Sequence, residues 1–374
     1  MRALFLNWRD VKHPKAGGAE YVTHELAKGL VHVGWQVDWF TASAEGLSSV
    51  ETIDGVRIIR QGGPLSVQRA VRAWYPKQPA YDFVLDQSHG WPFFAPYWTH
   101  VPTMYFIHEV TGEVARYMLP WPVSSIYQAI EPWIIRKYAP YPALTVSEST
   151  KAEMQQLGYK GDIAVIHNSC DVAAVKKLPP LATKEKELTV LLAVRLVPLK
   201  RPEHTIRMIA ELRKQVPNAK LWILGKAEPA YQKQLEALAR SLGVEKGVKF
   251  WGFVSTEKKI ELLTRAHVVT YTSIKEGWGL VVPEGNAVGT VGVTYNTAGL
   301  RDSNLDGKTG LLSPENTPQS LADTIAKLYA DTELYTQLRV AAWERVQTLT
   351  WDEVNGVFQE AVIKAIKGFN EGRT

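Results

Sequence analysis

Residues 2–41 read RALFLNWRDVKHPKAGGAEYVTHELAKGLVHVGWQVDWFT, and this stretch decides the fold class. The short apolar run Arg2–Asn7 predicts a buried strand. In Glu20–Val33 the apolar residues recur with a period near 3.6, which predicts a helix, and Trp35–Thr41 predicts the next strand. A strand, a helix and a second strand in this order indicate a parallel βαβ unit.

The same alternation occurs on both sides of a polar segment at 168–187, which contains Pro179-Pro180. Before this segment, strands are predicted at Val56–Arg60, Phe83–Asp86, Thr103–Ile107, Leu144–Val146 and Ile163–Ile166, with an aromatic-rich helical segment at 113–140. After it, strands are predicted at Leu188–Val194, Leu221–Leu224, Val248–Trp251, Val268–Thr272 and Val291–Tyr295. Helices are predicted at Pro202–Val216, Pro229–Leu242, Pro318–Ala330, Thr332–Thr348 and Trp351–Phe369.

This pattern predicts two Rossmann-like α/β domains, each with a doubly wound parallel sheet. The first spans residues 1–173 and the second 174–351, and a C-terminal helix at about 352–374 packs back on the first. We expect the two sheets to face each other across a cleft, because ligands usually bind between such domains.

Composition and charge exclude several classes of protein. The net charge is +5, and the excess of basic residues lies in the half after residue 173, which suits an anionic ligand there, although ordinary solubility explains it equally well. Basic residues are not interleaved with aromatics along any element, so we expect no nucleic-acid partner. Neither a signal peptide nor a run of about 18 apolar residues is present, and Cys170 is the only cysteine, so we expect a cytoplasmic protein.

The stretch Glu276–Glu284, EGWGLVVPE, directly follows the predicted strand Val268–Thr272. Its glycines permit a sharp turn, and a helix is predicted from Leu280 onward. Free amides at the start of a helix attract anions, so we expect a diphosphate to bind the main chain here. The amides are those of Gly277, Trp278, Gly279, Leu280 and Val281. Glu276 and Glu284 would repel that anion, so we expect them beside it, accepting hydrogen bonds from sugar hydroxyls; alternatively, they are an ordinary loop residue and a helix-stabilising residue.

Two cations flank the loop that follows the predicted strand Leu188–Val194. Arg195 offers a planar fork of donors and Lys200 a compact charge, and both suit phosphate oxygens. In the first domain, Gly17 and Gly18 form a turn before the first helix, and His108 follows a strand at its carboxyl end. Each of these features alone also fits a surface charge, a plain turn or a buried structural histidine.

Together these positions resemble the group-1, or family 4, retaining glycosyltransferases with the GT-B fold. The matching pieces occur in the family's order over nearly the whole chain: Gly17-Gly18-Ala19-Glu20, His108, Val146-Ser147-Glu148-Ser149, Ile166-His167-Asn168, Arg195 with Lys200, Gly252-Phe253-Val254, Ser273 with Glu276 to Glu284, and the stretch DGKTGLL at 306–312. The chain departs from the pattern at Gly285, at Gly289-Thr290-Val291 and in the loop 296–302, which surround the expected sugar and nucleotide.

The resemblance implies a role for each position. Arg195 and Lys200 bind the donor diphosphate and neutralise the leaving group, while Glu276 and His108 contact the transferred sugar. Glu284 accepts from the ribose hydroxyls, Val254 borders the base, and Gly17 and Gly18 let their loop close on the phosphates. The implied reaction moves a hexose from a UDP- or GDP-linked donor with retention, and it needs neither a metal, a cofactor nor a protein nucleophile.

The acceptor is expected on the first domain, where it is a glycan, a lipid-linked sugar or a polysaccharide. Glu20 and His89 are candidate acceptor residues. The aromatic stretches Trp91–Trp98 and Met118–Trp121, with the basic pair Arg136-Lys137, predict peripheral contact with a membrane, with helix core and a solvated flank as the alternative.

Other functions remain open on the same fold: a nucleotide-sugar epimerase, a phosphorylase, or a non-catalytic sugar-nucleotide binding protein. A dehydrogenase is disfavoured because residues 7–20 lack the GxGxxG spacing.

Overall fold

The computed structural model describes residues 1–88, 90–170, 172 and 175–372. The chain divides into two compact units. The first comprises Met1–Glu113, Ser125–Asn168 and Trp351–Thr374, and the second comprises Val114–Ser124 and Ser169–Thr350.

The part of the chain up to residue 165 alternates strands and helices. Its elements are β1 (Arg2–Leu6), α1 (Gly18–His32), β2 (Gln36–Thr41), β3 (Val50–Ile53), β4 (Val56–Arg60), α2 (Val67–Trp74), β5 (Phe83–Ser88), β6 (Thr103–Ile107), α3 (Ala115–Met118), α4 (Val123–Tyr138), β7 (Ala143–Thr145), α5 (Glu148–Gln156) and β8 (Ile163–Val165). The strands form one sheet in the order β3-β4-β2-β1-β5-β6-β7-β8. Every neighbouring pair is parallel except β3 and β4, which form an antiparallel edge.

The remaining part has a second sheet and the longest helix. Its elements are β9 (Thr189–Ala193), α6 (Pro202–Gln215), β10 (Lys220–Leu224), α7 (Pro229–Ser241), β11 (Val248–Gly252), α8 (Thr256–Arg265), β12 (Val268–Tyr271), α9 (Val281–Ala287), β13 (Val291–Tyr295), α10 (Leu300–Ser303), β14 (Gly310–Ser313), α11 (Pro318–Ala330), α12 (Thr332–Thr348) and α13 (Trp351–Glu371). The sheet has the order β11-β10-β9-β12-β13-β14 and is parallel throughout.

Burial on both faces explains why the central strands are continuous apolar runs. Every residue of β9 and of β12 is buried. One face of the second sheet packs against α6 and α11, and the other packs against α8 and α9. The predicted fold class, an α/β protein with two doubly wound parallel sheets, is therefore confirmed. Among the described residues, no helix combines the length and the apolar character that a membrane span requires.

Six elements were not predicted from the sequence: β3, α2, α5, α8, α10 and β14. These elements are short, and most carry little buried surface. The strand β3 alternates exposed and half-buried residues at the edge of its sheet, and α5 buries only Thr150 and Met154. Short elements with few buried residues give little hydrophobic periodicity, which is the signal that the prediction depends on.

Each sheet has one point at which the strand order reverses. In the first sheet this point lies between β1 and β5, and in the second it lies between β9 and β12. The connections of the two strands leave such a point in opposite directions, so a crevice opens beyond their carboxyl ends. The loops that follow β1, β5, β9 and β12 are therefore the places where each unit offers room for a ligand.

Gly225 permits the close approach of β9 and β10 at this end of the second sheet. Its φ is +126°, and a Cβ atom there would lie 1.8 Å from the carbonyl oxygen of Val194. Its amide donates to the carbonyl of Gly252, so the end of β10 is hydrogen-bonded to the end of β11. A side chain at this position would push apart the main chains at the ends of β9 and β10, next to the second switch point.

We therefore expect Gly225→Ala to destabilise the protein by roughly 3 kcal/mol or more, because a rigid backbone clash is added to an unfavourable φ. The matched control is Gly243→Ala, where φ is +69° and the added Cβ meets nothing within 4 Å. In that control the only destabilising effect is the left-handed conformation of an alanine, which costs about 1–2 kcal/mol. Chemical denaturation of both variants measures the difference, and equal losses would contradict the steric argument.

Candidate active site

The loops that follow β9 and β12 meet at the second switch point. The amide of Ile274 donates to the carbonyl oxygen of Leu199 at 3.1 Å, so the two loops are joined through their main chains. The Thr272 hydroxyl lies within hydrogen-bond distance of the carbonyls of both Lys200 and Arg201, at 3.1 and 2.9 Å. The predicted cations and Glu276 are therefore carried by loops that touch, whereas Glu284 lies on α9.

Lys200 and Glu276 form an ion pair across these loops. Lys200 Nζ lies 2.5 Å from Glu276 Oε1, and both side chains are largely buried. An ammonium group has three donors, so Lys200 can hold this carboxylate and still donate to a ligand oxygen. The structure thus brings together two site residues that lie 76 positions apart in the sequence.

Arg195 lies in the same loop and is exposed to solvent. Within the described part of the chain, its guanidinium makes no hydrogen bond, ion pair or ring contact. Its five N–H donors are therefore available to a ligand with several oxygens, and the predicted role in binding a diphosphate stays a prediction.

The turn before α9 has the form predicted for it. Gly279 has a φ of +87°, Leu280 caps the helix, and α9 begins at Val281. Gly299 packs against the start of the same turn, since a Cβ there would lie 2.2 Å from the carbonyl oxygen of Glu276. The indole of Trp278 is buried, 5.8 Å from the guanidinium carbon of Arg345, so this residue offers a ligand only its main chain.

Glu284 is held by a lysine that the sequence analysis did not single out. Lys259 Nζ on α8 lies 2.6 Å from Glu284 Oε1, and the Glu284 side chain is only 5% exposed. Both glutamates act on the buried phenol of Tyr271. Its pKa lies well above the usual value, mainly because of burial and further because of the charges of Glu276 and Glu284. The two carboxylates thus act on one small region at the end of β12.

The chain near Val254 follows β11, the edge strand of the second sheet. Phe253 is 75% exposed, with Lys226 Nζ 5.4 Å from the centre of its ring. Val254 is half-buried and packs against the core on the α8 face. These two residues follow β11, so they lie on the side of β9 away from β12.

In the first unit, His108 belongs to a row of polar side chains at the carboxyl edge of the first sheet. Its Nε2 lies 2.8 Å from Gln87 Nε2, and the amide of Gln87 also contacts Asn7 and the hydroxyl of Thr23. All four residues are buried. The main-chain carbonyl of His108 accepts from the Thr150 hydroxyl at 3.2 Å. His108 is thus fixed by neighbours on β5 and α5.

Glu20 has structural contacts rather than an open position. It is 1% exposed, Arg9 Nε lies 2.9 Å from its Oε1, and the amide of Gly17 donates to its Oε2 at 2.7 Å. The carboxylate therefore caps α1, which begins at Gly18. Gly17 has a φ of −146°, and its nearest neighbour would lie 3.8 Å from an added Cβ, so the fold itself does not require glycine there. His89, the other candidate acceptor residue, lies outside the described residues.

The two sheets and their switch points place the chain in the GT-B class of α/β proteins. Sequence comparison identifies the family: residues 16–174 match the model of Glycosyltransferase Family 4, and residues 175–345 match that of Glycosyl transferases group 1. The chain belongs to this family and is a glycosyltransferase.

Three similar proteins illustrate the match. The D-inositol 3-phosphate glycosyltransferase of Jonesia denitrificans is 27% identical over 90% of this chain and 88% of its own length. Sucrose-phosphate synthase from Thermosynechococcus elongatus has the same fold with a TM-score of 0.80 and 21% identity, covering 98% of this chain and 99% of that one. The Anabaena protein HepE, in complex with UDP and glucose, has a TM-score of 0.75 and 20% identity, covering 97% and 100%.

The pair formed by Lys259 and Glu284 makes a prediction about stability. Lys259→Met leaves a buried carboxylate without its cation, so we expect a loss of about 2–3 kcal/mol in the free energy of unfolding. Adding Glu284→Gln removes that charge and restores most of the loss. The matched control is Lys258→Met on the same helix, whose partner Glu261 is solvated, and its melting temperature stays unchanged. Equal effects at positions 258 and 259 would contradict the pairing.

Proposed function

We propose that this glycosyltransferase moves a hexose from a nucleotide diphosphate sugar, UDP- or GDP-linked, with retention of configuration and without a cofactor or protein-bound metal. The observation that carries the proposal is the pairing of Lys200 with Glu276 beside the exposed Arg195 at the second switch point. A site of this kind combines cations for phosphate with carboxylates for sugar hydroxyls.

The leaving nucleotide diphosphate gains negative charge as its bond to the sugar breaks. Arg195 and Lys200 lie in one loop beside the main-chain turn at 277–281, where those cations and amides stabilise that charge. Preorganised charge of this kind is usually the largest contribution to catalysis. These side chains supply the positive charge that a bound metal ion supplies in other transferases.

The carboxylates take the polar groups of the sugar and the ribose. Lys200 fixes the orientation of Glu276, and Lys259 fixes that of Glu284. Both carboxylates are therefore oriented before the donor binds. Glu276 accepts from the transferred hexose and Glu284 from the ribose, while the chain at Val254 borders the base. The role that the sequence resemblance implies for His108 on the first unit, contact with the transferred sugar, stays a prediction.

Retention follows from a reaction on one face of the sugar. The bond from C1 to the diphosphate oxygen breaks, and the acceptor oxygen bonds to C1 on the same face. The acceptor proton passes to the departing phosphate oxygen, so no protein base is consumed. The ion pair with Lys200 supports this assignment, because a carboxylate paired with a cation is a weakened nucleophile.

Relatives favour particular substrates. HepE was solved with UDP and glucose, which supports a UDP-linked hexose as the donor. For the acceptor we propose a glycan, a lipid-linked sugar or a polysaccharide, because the first unit exposes aromatic rings that suit sugars and lipid headgroups. The names D-inositol 3-phosphate glycosyltransferase and sucrose-phosphate synthase favour a small phosphorylated polyol or sugar as the second candidate.

A ligand-binding experiment tests the donor site. UDP, GDP, ADP and their hexose conjugates are added in a thermal-shift assay, and one nucleotide family raises the melting temperature by binding the folded state. Glu284→Ala weakens that shift. Arg195→Ala combined with Lys200→Met lowers the rate of sugar transfer by about 100-fold or more, because both cations that stabilise the leaving group are gone.

The matched control is Lys233→Met, an exposed lysine on α7, which leaves binding and rate unchanged. Full activity of the Arg195/Lys200 double variant would refute the proposed diphosphate role. A nucleotide shift without any turnover, with every acceptor class supplied, would favour the non-catalytic binding protein.

The aromatic patch of the first unit, defined as Trp91, Phe94, Tyr97 and Trp133, supports peripheral contact with a membrane. The rings of Trp91, Tyr97 and Trp133 all lie within about 6.5 Å of the ring of Phe94. Trp91, Tyr97 and Trp133 are each about half exposed, and Lys137 Nζ lies 5.5 Å from the Trp133 ring. Exposed tryptophan beside lysine is suited to an anionic lipid surface.

We expect the protein to sediment with vesicles of mixed neutral and anionic phospholipid, and Trp91→Ser with Trp133→Ser to abolish this binding. High salt weakens it, because the contribution of Lys137 is screened. The control Val357→Ser removes an equally exposed apolar residue from α13 and leaves binding intact. Vesicle binding that is indifferent to the patch variants would contradict this assignment and leave the donor site unaffected.

A further inference from the structure

Arg201 has a backbone conformation that arginine rarely adopts. Its φ is +46°, in the left-handed region, and it directly precedes Pro202, the first residue of α6. Non-glycine residues are disfavoured in this region, and a following proline further restricts the residue before it. Such a conformation persists where surrounding contacts impose it, and these outliers cluster at functional sites.

The side chain of Arg201 spans the two loops of the donor site. Its Nε donates to the carbonyl oxygen of Thr272 at 2.8 Å, and its Nη2 donates to that of Ser273 at 3.1 Å. Both carbonyls lie immediately after β12, whereas Arg201 lies in the loop after β9. A planar guanidinium suits this arrangement, because its donors reach two neighbouring acceptors at once.

A third strand supports the same guanidinium. Its central carbon lies 5.1 Å from the ring centre of Tyr295, the last residue of β13. The Tyr295 hydroxyl is 2.9 Å from His204 Nδ1 on α6, and this contact holds the tyrosine ring in place. Burial, followed by the charge of Arg201, lowers the pKa of His204, so the imidazole stays neutral beside the guanidinium at neutral pH. Arg201 is thus held by the loop after β12 and by Tyr295 of β13, which is in turn held by His204 of α6.

We propose that Arg201 is a positioning residue that locks the loop after β9 to the loop after β12 and so presets the Lys200–Glu276 pair for the donor. Lys200 precedes Arg201 directly, and Glu276 follows its acceptor Ser273 by three residues. The hydrogen bond from Ile274 to Leu199 also joins these loops, as does the Thr272 hydroxyl at the carbonyls of the loop after β9. The inference rests on the proposed function, since it assigns Arg201 a task only if Lys200 and Glu276 handle the donor.

The first test is Arg201→Gly. This change removes the guanidinium that joins the two loops, and glycine suits the left-handed φ of this position. We expect the melting temperature to stay near that of the unaltered protein and kcat/KM for sugar transfer to fall roughly 10- to 100-fold, as displaced reacting groups would cause. Arg201→Lys remains impaired, because an ammonium lacks the planar fork that reaches both carbonyls. The control Arg207→Ala removes an exposed arginine from α6, the helix that follows Arg201, and keeps full activity.

A double variant separates positioning from general stabilisation. If Arg201 acts through Lys200, then Arg201→Gly added to Lys200→Met lowers the rate no further than Lys200→Met alone. Losses that multiply would overturn the inference, as would full activity of Arg201→Gly. Full activity of Lys200→Met would instead refute the proposed function, so the two failures are distinguishable.

Thr272→Val provides a second route if Arg201→Gly folds poorly. It removes the hydroxyl that lies 2.9 Å from the Arg201 carbonyl and keeps the shape of the side chain. We expect it to reduce kcat/KM in the same direction, by about threefold to tenfold, and to lose that effect in the Lys200→Met background. Unchanged activity of Thr272→Val would also contradict the proposed positioning role of Arg201.

Discussion

The ion pair between Lys200 and Glu276 resolves a conflict in the proposed donor site. A site that reads sugar hydroxyls needs carboxylates, whereas a site that binds a diphosphate must avoid negative charge. Lys200 neutralises Glu276, Lys259 neutralises Glu284, and Arg195 keeps its charge exposed. The carboxylates can therefore lie near an anion and retain their hydrogen-bonding oxygens, because mostly buried pairs are screened less by water than surface pairs.

The pair depends on the topology of the sheet. The residues lie 76 positions apart, and they meet because β9 and β12 are neighbours at the point where the strand order reverses. Gly225 and Gly299 then let main chains approach so closely that a Cβ atom would collide with a carbonyl oxygen. The charged pair, the close approaches at the glycines and the reversal of the strand order thus occur at the same end of the second sheet.

The sequence predicted the central strands, the glycine turn and the start of α9 because each produces a local signal. The burial of β9 appears as an apolar run, and the turn before α9 appears as two glycines and a proline. The partners with which the site residues pair produce no such local signal in the sequence. Lys259 lies on α8, a short and mostly polar helix, so its pairing with Glu284 has no local signal, although the serine cap at Ser255 marks where that helix begins. Glu20 resembled a ligand-binding residue, but its position three residues after Gly17 is equally that of a helix-capping carboxylate.

The two switch points differ in chemistry, and the difference supports a division of tasks between the units. The row at the first sheet consists of Asn7, Thr23, Gln87 and His108, whose side chains are neutral amides, a hydroxyl and an imidazole. The loops at the second sheet carry formal charges. Neutral donors and acceptors suit the hydroxyl groups of a sugar, whereas cations suit a diphosphate. The first edge also carries the ion pair of Arg9 with Glu20, but that carboxylate caps α1. The excess of basic residues after residue 173 follows the same division, since the cations lie in the part of the chain that we propose stabilises the leaving anion.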